Sequence, residues 1–397
     1  MKAKRLRIYR WLLIGVILVL GVQCSLVSPS PTPTAEPTPT IPAQQGLPFQ
    51  LVDRSWTEEE LLARREQEGA PAWADGDELT FFYQGGADAV HVCCSIESRM
   101  WQVEGSDAWS VTLRIDGLSR AVISYGFVPY REGLPDWENA TERRVWRGPD
   151  APPALERAES LTGEVQTTAI ESEALGEERS VTVYLPPGHD PSQSLPVVYA
   201  ADGESVDRFA AVLDPLIVEG SVPPFVMVGA HSGGYTGSRE RYEPQYDLRK
   251  QEYVWGANLE RFEAHEQFFV EELSAWAEEN LGVSSDRDQR AVFGYSNGGA
   301  FAITLGIRHP EQYGNVFAFS AAMGDASWGT PDWTGDGAPR HYLVAGTLEP
   351  FRRTTARWAR TLSTLEVDHV YQEWVAGHEF VMWQEEFPSA LEWAFGE

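Results

Sequence analysis

Basic residues and cysteines are scarce in this sequence, and each shortage excludes a class of function. Of 397 residues, 31 are lysine or arginine and 59 are aspartate or glutamate, so the formal net charge is −28. Nucleic-acid binding needs a basic surface, which excludes that class of partner. The same shortage gives no support for adsorption on anionic lipid headgroups. The sequence does contain 43% apolar residues, enough for a sizeable core.

The sequence contains three cysteines, Cys24, Cys93 and Cys94. Their spacing is not that of a zinc site, and we expect neither a metal nor an organic cofactor. A bond between the adjacent Cys93 and Cys94 would close a strained ring. We therefore expect both to be free thiols that are at least partly buried.

Residues 1–24 have the pattern of an export signal. A basic cluster precedes an apolar run that is short for a transmembrane span, and Cys24 follows directly. This order resembles a bacterial lipoprotein signal with an acylated Cys24, although Gln23 is bulkier than the usual small residue. An uncleaved anchor is the alternative. We expect an exported protein that is anchored on the outer side of the cytoplasmic membrane, with residues 25–46, rich in proline and threonine, as an extended spacer.

Residues 47–155 are predicted to form a small β-sandwich domain of the immunoglobulin type. A capping box at Thr57–Glu60 opens a short helix. Runs with strand-like composition then follow at close intervals, separated by glycine and aspartate turns: LTFFYQ, AVHVCC, WSVTLRID and AVISYGF. No cluster of acid, base and nucleophile stands out in this part.

Residues 156–397 alternate between strand-like and helix-like patterns, which predicts an α/β domain with a mostly parallel sheet covered on both faces. The longest predicted helix covers residues 258–281, where apolar residues recur at helical spacing. No internal repeat is present in the sequence.

The stretch AVFGYSNGGAFA places Ser296 where a buried strand turns sharply into a helix. Gly-x-Ser-x-Gly in this context raises the serine at the carboxyl edge of the sheet and favours a nucleophile. The backbone N–H of Asn297 can then stabilise an oxyanion. Tyr295, beside the serine, is a candidate for substrate binding.

A serine hydroxyl needs a base, and His378 in WVAGHEF is the best candidate because it follows the last predicted strand. His231 also follows a strand, and we keep it as a candidate residue of the substrate pocket. We expect structural roles for three other histidines: His91, His265 and His309.

The acid of the triad is expected after the strand HYLVAG, which identifies Glu349. Asp325, after the preceding strand, is the alternative, whereas Asp368 precedes a strand and lies at the wrong edge of the sheet. The turn in VVYAADGES can aim the Glu204 N–H at the site as a second oxyanion donor, or it is an ordinary turn.

The catalytic part resembles the putative esterase group of α/β-hydrolases, which includes enterochelin esterases, esterase D and the mycolyltransferases. The matching pieces cover residues 180–395 in family order: AADGES, SRERYEP, GYSNGGAFA, RHPEQYGNVFAFSAA, AGTLEP and GHEFVMW. The resemblance implies an α/β-hydrolase fold. It also assigns nucleophile, base, acid and oxyanion amides to the residues named above. Arg239 matches an arginine often kept near the pocket, although the order Tyr242-Glu243 departs from the usual pattern.

The N-terminal part is similar to the β domain of enterochelin esterases in GAPAWADGDELTFFYQGGADAVHV, YGFVPY and WRGPDAPPA. Two departures count against a siderophore substrate. Enterochelin esterases of enteric bacteria look cytosolic, whereas this chain carries an export signal. A siderophore complex is also anionic, as this protein is, so opposite-sign steering is missing.

The expected function is a serine esterase acting on a small-molecule or glycan-linked ester. The ester is a siderophore lactone, a feruloyl or acetyl ester on a polysaccharide, or another small ester. An acyltransferase of the same fold and a non-catalytic, glycan-binding surface protein are the competing hypotheses.

Overall fold

The structure is a computed structural model that describes residues 48–238, 242–322, 331, 333 and 337–396. The predicted signal with Cys24, the spacer, Arg239 and the alternative acid Asp325 lie outside these residues. The residues described from Pro48 onward form one compact unit. In this part of the chain, no helix has both the length and the apolar character needed to span a bilayer.

The first part of the described chain contains two antiparallel sheets of five strands each. Its strands are β1 (Gln50–Val52), β2 (Ala72–Asp75), β3 (Glu78–Gln84), β4 (Ala89–Cys94), β5 (Ser98–Arg99), β6 (Trp101–Gln102), β7 (Ala108–Arg114), β8 (Val122–Arg131), β9 (Leu134–Pro135) and β10 (Arg144–Arg147). One sheet has the order β1-β7-β3-β2 with β6 beside β7, and the other has β10-β8-β4-β5 with β9 beside β8. Helix α1 (Glu58–Glu68) begins at Thr57 with both hydrogen bonds of the predicted capping box.

The core of this β part takes side chains from both of its sheets, such as Phe81, Leu113 and Ile123. It also takes Leu348 and Val375 from the part of the chain that follows. The part of the chain that follows therefore completes the core of the β part, and the two parts meet through apolar side chains.

The second part has a mixed sheet of eight strands in the order β11-β12-β14-β13-β15-β16-β17-β18. These are β11 (Glu164–Ser172), β12 (Glu177–Leu185), β13 (Val197–Ala201), β14 (Val226–Ala230), β15 (Arg290–Tyr295), β16 (Asn315–Phe319), β17 (Arg340–Gly346) and β18 (His369–Trp374). The pairs β11–β12 and β12–β14 are antiparallel, and every later neighbouring pair is parallel. The expectation of a mostly parallel sheet is met, with two antiparallel strands at one edge.

Helices cover both faces of this sheet. They are α2 (Val206–Glu219), α3 (Leu248–Tyr253), α4 (Leu259–Gln267), α5 (Ser274–Leu281), α6 (Asn297–Arg308), α7 (Arg352–Thr364) and α8 (Phe380–Phe395). Alternate residues of β13 enter different cores: Tyr199 joins Phe269 and Phe301 on one face, and Val198 joins Phe209 and Phe387 on the other. Burial on both faces explains why the central strands are continuous apolar runs.

Two local features differ from the sequence-based expectation. The predicted long helix is present, but a π-helical segment, Phe268–Leu273, separates α4 from α5. Cys93 and Cys94 are joined as a disulfide and are not free thiols. Consecutive strand residues normally point to opposite faces, but the backbone of Cys94 has φ 112°. This break in the alternation brings the two side chains together.

Candidate active site

Ser296 occupies a sharp turn between β15 and α6. Its φ of 56° and ψ of −124° lie outside the ordinary regions for a residue with a side chain, a form of strain that clusters at functional sites. The turn closes only because its flanking residues are glycines: a Cβ on Gly294 would overlap the carbonyl oxygen of Gly298. The Ser296 N–H donates to the Phe319 carbonyl at 2.9 Å, which fixes the turn to β16.

His378 and Glu349 form a hydrogen-bonded pair at the same edge of the sheet. Glu349 follows β17 and His378 follows β18, and the distance from His378 Nδ1 to Glu349 Oε2 is 2.5 Å. The other carboxylate oxygen, Oε1, accepts the Gly346 N–H at 2.8 Å. The Glu349 side chain is fully buried, whereas that of His378 is 28% exposed. With Nδ1–H donating to the carboxylate, Nε2 is left as the proton acceptor of the ring.

Trp383 on α8 connects the serine turn with the histidine. Its indole stacks on the Tyr295 ring at 4.4 Å between centroids and meets the His378 ring edge-on at 4.9 Å. Among the described residues, no hydrogen bond joins the Ser296 hydroxyl to His378. Catalytic hydrogen bonds are often long in unliganded enzymes and shorten when substrate binds.

The loop after β13 packs directly against the serine turn. A Cβ on Gly298 would lie 3.0 Å from Ala201 Cβ and 3.1 Å from Asp202 Oδ2. Glu204 is the second residue of a short helical turn in this loop, Gly203–Ser205, and its side chain accepts hydrogen bonds from the Ser232 N–H and hydroxyl at 2.9 and 3.1 Å. The N–H groups of Glu204 and Asn297 both lie at the start of helical turns, where amides have no intrahelical acceptor. Two adjoining loops thus carry these two amides.

Arg249 and Asp202 support this loop, and the sequence-based search missed their pairing. Arg249 on α3 contacts both oxygens of Asp202 at 2.5 and 2.7 Å and donates to the Tyr295 carbonyl at 3.3 Å. The Asp202 N–H donates to the Tyr253 hydroxyl oxygen at 2.9 Å. Burial raises the pKa of Asp202, and Arg249 opposes this effect. The turn ADGES signalled a bend, but no local pattern pairs it with an arginine so far along the chain.

The structure places the candidate pocket residues in supporting positions. The His231 Nε2 lies 2.7 Å from the Thr182 hydroxyl on β12. The Tyr295 hydroxyl lies 2.8 Å from that of Ser205, so this side chain connects the serine turn to residues 202–205, the candidate oxyanion loop. Arg239 lies outside the described residues.

The three histidines with expected structural roles make their contacts elsewhere in the structure. His265 is fully buried, and burial lowers its pKa to about 4. His309 pairs with Glu266, and His91 packs on Tyr130 in the β part.

A cavity of about 690 Å³ opens beside His378, between the two parts of the chain. Its walls combine aromatic and charged side chains, among them Phe49 and Glu97 from the β part and Phe351, Arg352 and Arg353 from the α/β part. Arg352 already forms a bidentate pair with Glu373. Within the described residues, no group of three or more His, Cys, Asp or Glu side chains is arranged to hold a metal ion.

Parts of this chain are similar to known proteins. The family model described as "Putative esterase" matches residues 172–360, so this part of the chain resembles that family. The structure is similar to that of the enterobactin esterase of Shigella flexneri solved in the presence of 2,3-dihydroxy-N-benzoyl-serine, with 19% identity and a TM-score of 0.61. That alignment covers 83% of this chain and 97% of the other. At this identity the likeness shows the fold, which includes both parts of the chain.

Two curated relatives match part of the chain. An endo-1,4-β-xylanase/feruloyl esterase of Xylanibacter ruminicola is 25% identical over 167 residues, 38% of this chain and 21% of its own length. The uncharacterized protein YjcH of Bacillus subtilis is 22% identical over 157 residues, 39% of this chain and 60% of its own length. The matched region thus spans less than two thirds of either relative.

The α/β part therefore has an α/β-hydrolase type of fold, as the sequence resemblance implied, and its residues 172–360 are similar to the putative esterase family. It is preceded by a β part made of two antiparallel sheets.

Proposed function

We propose that the protein is a serine esterase whose triad is Ser296, His378 and Glu349. Ser296 attacks the ester carbonyl while His378 Nε2 takes the hydroxyl proton. Glu349 holds the imidazole in the required tautomer and stabilises the imidazolium. The observation that supports this most strongly is the 2.5 Å contact between His378 and a fully buried Glu349, at the sheet edge that also carries the strained Ser296 turn.

The same groups complete the acylation of Ser296 and then act again in the hydrolysis of the acyl-enzyme. The Asn297 and Glu204 amides stabilise the negative charge of the tetrahedral intermediate. His378 then returns its proton to the leaving alcohol, and an acyl-enzyme remains on Ser296. Water, activated by His378, hydrolyses this ester and releases the acid.

We propose an ester that carries a phenolic ring as the substrate. The cavity beside His378 is wide, and Phe49 and Phe351 offer aromatic faces in its walls. The similar structure was solved in the presence of a dihydroxybenzoyl compound, and one relative is named a feruloyl esterase. Both the dihydroxybenzoyl and the feruloyl group contain a phenolic ring. The net charge of −28 favours a neutral phenolic ester over an anionic siderophore complex.

Turnover of p-nitrophenyl acetate and methyl ferulate by the wild-type chain and by Ser296→Ala tests this function. The wild type should hydrolyse both, and the variant should lose roughly 10⁴-fold or more in kcat. A fluorophosphonate probe should label the wild type at Ser296 only. Unchanged turnover in Ser296→Ala would exclude the mechanism. If an added alcohol outcompetes water for the acyl group, the enzyme is a transferase instead.

We also propose export with acylation of Cys24. The support is the order of residues 1–24, in which a basic cluster is followed by an apolar run and then by the cysteine. Mass spectrometry of the mature N-terminus tests this proposal, and an unmodified Cys24 in membrane-extracted protein would disprove it.

We propose an immunoglobulin-like topology for the β part, because its two sheets are antiparallel and enclose a common core.

A further inference from the structure

Glu379, the residue after His378, points away from the active site and into the β part. Its side chain is only 4% exposed, and Oε2 accepts the N–H of Ser124 on β8 at 3.0 Å. The same N–H also points at the Ser95 hydroxyl, 3.0 Å away. The residue next to the proposed catalytic base is therefore bonded to the other part of the chain.

The chain on the other side of His378 is also fixed to the β part. A Cβ on Gly377 would overlap the carbonyl oxygen of Ser95, so the two backbones touch. The Val122 N–H donates to the Val375 carbonyl at 2.9 Å. Residues 375–379, which we call the histidine loop, thus contact the β part both before and after His378.

One oxygen of this carboxyl group has no partner. Glu379 Oε1 is buried and makes no hydrogen bond with any described residue. The groups that face the carboxyl from the β part are the neutral hydroxyls of Ser95 and Ser124. On its own helix the charged neighbour is Glu385, which pairs with Arg147 of β10. No described cation forms an ion pair with Glu379, and a buried carboxylate without a counter-ion is costly.

We propose that Glu379 is a positioning residue, which holds the histidine loop against the β part while its carboxyl group is protonated and loosens that contact when it ionises. This inference rests on the proposed esterase function, because the loop carries the proposed base. Burial raises the pKa of Glu379 to about 7, the Ser124 and Ser95 hydroxyls and the Ser124 amide oppose the rise, and the charge of Glu385 adds to it. Loosening then displaces His378 from Ser296 and lowers kcat.

The test is the pH dependence of kcat and KM between pH 5.5 and 9 for the wild type and for Glu379→Gln. The matched control is Glu386→Gln, a buried carboxyl on α8 whose oxygens contact the Tyr342 hydroxyl and the Trp374 indole instead. Wild type and control should lose several-fold in kcat above pH 7, with KM nearly constant. Glu379→Gln should keep its kcat on the alkaline side. An alkaline decline that survives in Glu379→Gln, or a loss that is equal at all pH values, would overturn the proposal.

Hydrogen exchange of the wild type keeps the proposal testable if the variant does not fold. After correction for the intrinsic rate, the Val122 and Ser124 amides should exchange faster at pH 8 than at pH 6, whereas amides of β13 should not change. If these amides are equally protected from exchange at both pH values, the proposed pH-dependent contact is refuted even if the protein is an active esterase. If the Val122 and Ser124 amides exchange as expected but the protein shows no turnover that depends on Ser296, the proposed function is wrong and the role of Glu379 in the loop contact stands.

Discussion

Tyr295 and Trp383 stack with their ring centroids 4.4 Å apart and their planes at 19°. The pair joins the residue before the serine turn to a helix that begins just after His378. The Trp383 indole N–H also donates to the Ser320 hydroxyl at 2.8 Å, at the end of β16. The Trp383 side chain therefore contacts both the residue before Ser296 and the His378 ring.

Trp383→Phe should reduce kcat by roughly 10-fold and leave KM little changed, because the hydrogen bond to Ser320 is lost and the stack is smaller. The expected loss of unfolding free energy is about 1–2 kcal/mol. Steady-state kinetics and urea denaturation measure the two effects. Trp276→Phe, on α5, is the control. If both variants lost activity equally, Trp383 would have no special connection to the site.

Glu349→Gln should reduce kcat by about 10²–10⁴-fold, because the amide no longer selects the tautomer that leaves Nε2 free or stabilises the imidazolium. The control is Asp368→Asn, which changes an exposed carboxyl paired with Arg340 before β18. It should stay within about 2-fold of wild type, since surface ion pairs are worth little. If the two variants lost kcat to a similar extent, Glu349 would not be the acid of the triad.

Arg249→Met should destabilise the protein more than Asp202→Asn. The Arg249 side chain is 24% exposed and Asp202 only 6%, so the first change leaves a buried carboxylate unpaired and the second leaves a partly hydrated guanidinium. We expect about 3 and about 1 kcal/mol. The double variant should lose less than the sum, which a double-mutant cycle measures.

Both single variants should also lower kcat with p-nitrophenyl acetate, because the oxyanion loop is no longer held against the serine turn. Additive stabilities in the cycle would show that the two groups do not interact. Full activity in both variants would separate the pair from catalysis.

The unfolding free energy should depend on pH through Glu379. Its folded-state pKa of about 7 lies above the ordinary value of 4.5, so the folded protein binds the proton more tightly. Stability from this group is complete below about pH 4.5 and falls as the pH rises to about 7. At pH 8 the penalty is at most about 3 kcal/mol. Thermal unfolding should show the difference between Glu379→Gln and wild type growing over this interval and then levelling off, and a constant difference would contradict the assignment.

The sequence was informative wherever a strong local constraint acts. The turn at Ser296 needs glycines on both sides, and central strands buried on two faces read as apolar runs, so the alternation of strands and helices toward the end of the chain could be predicted. Glu349 follows one such strand, β17, whereas His378 follows the edge strand β18, which is only partly buried. Their catalytic roles stay predictions.

Long-range pairings left no local signal. Nothing near Arg249 indicates its contact with Asp202, and nothing around Glu379 indicates that it points into the β part. The disulfide of Cys93 and Cys94 depends on one unusual backbone angle at Cys94, which composition does not reveal. Such features arise from tertiary packing, which a single sequence does not encode in neighbouring residues.

Leu348 and Val375 lie in the core of the β part, close in sequence to Glu349 and His378. The β part is synthesised first, yet its interior lacks two side chains until almost the whole chain has left the ribosome. Completing that interior therefore requires the same two segments that carry Glu349 and His378. A chain clipped before Val375 lacks part of the core of the β part together with His378, so it completes neither that core nor the proposed site.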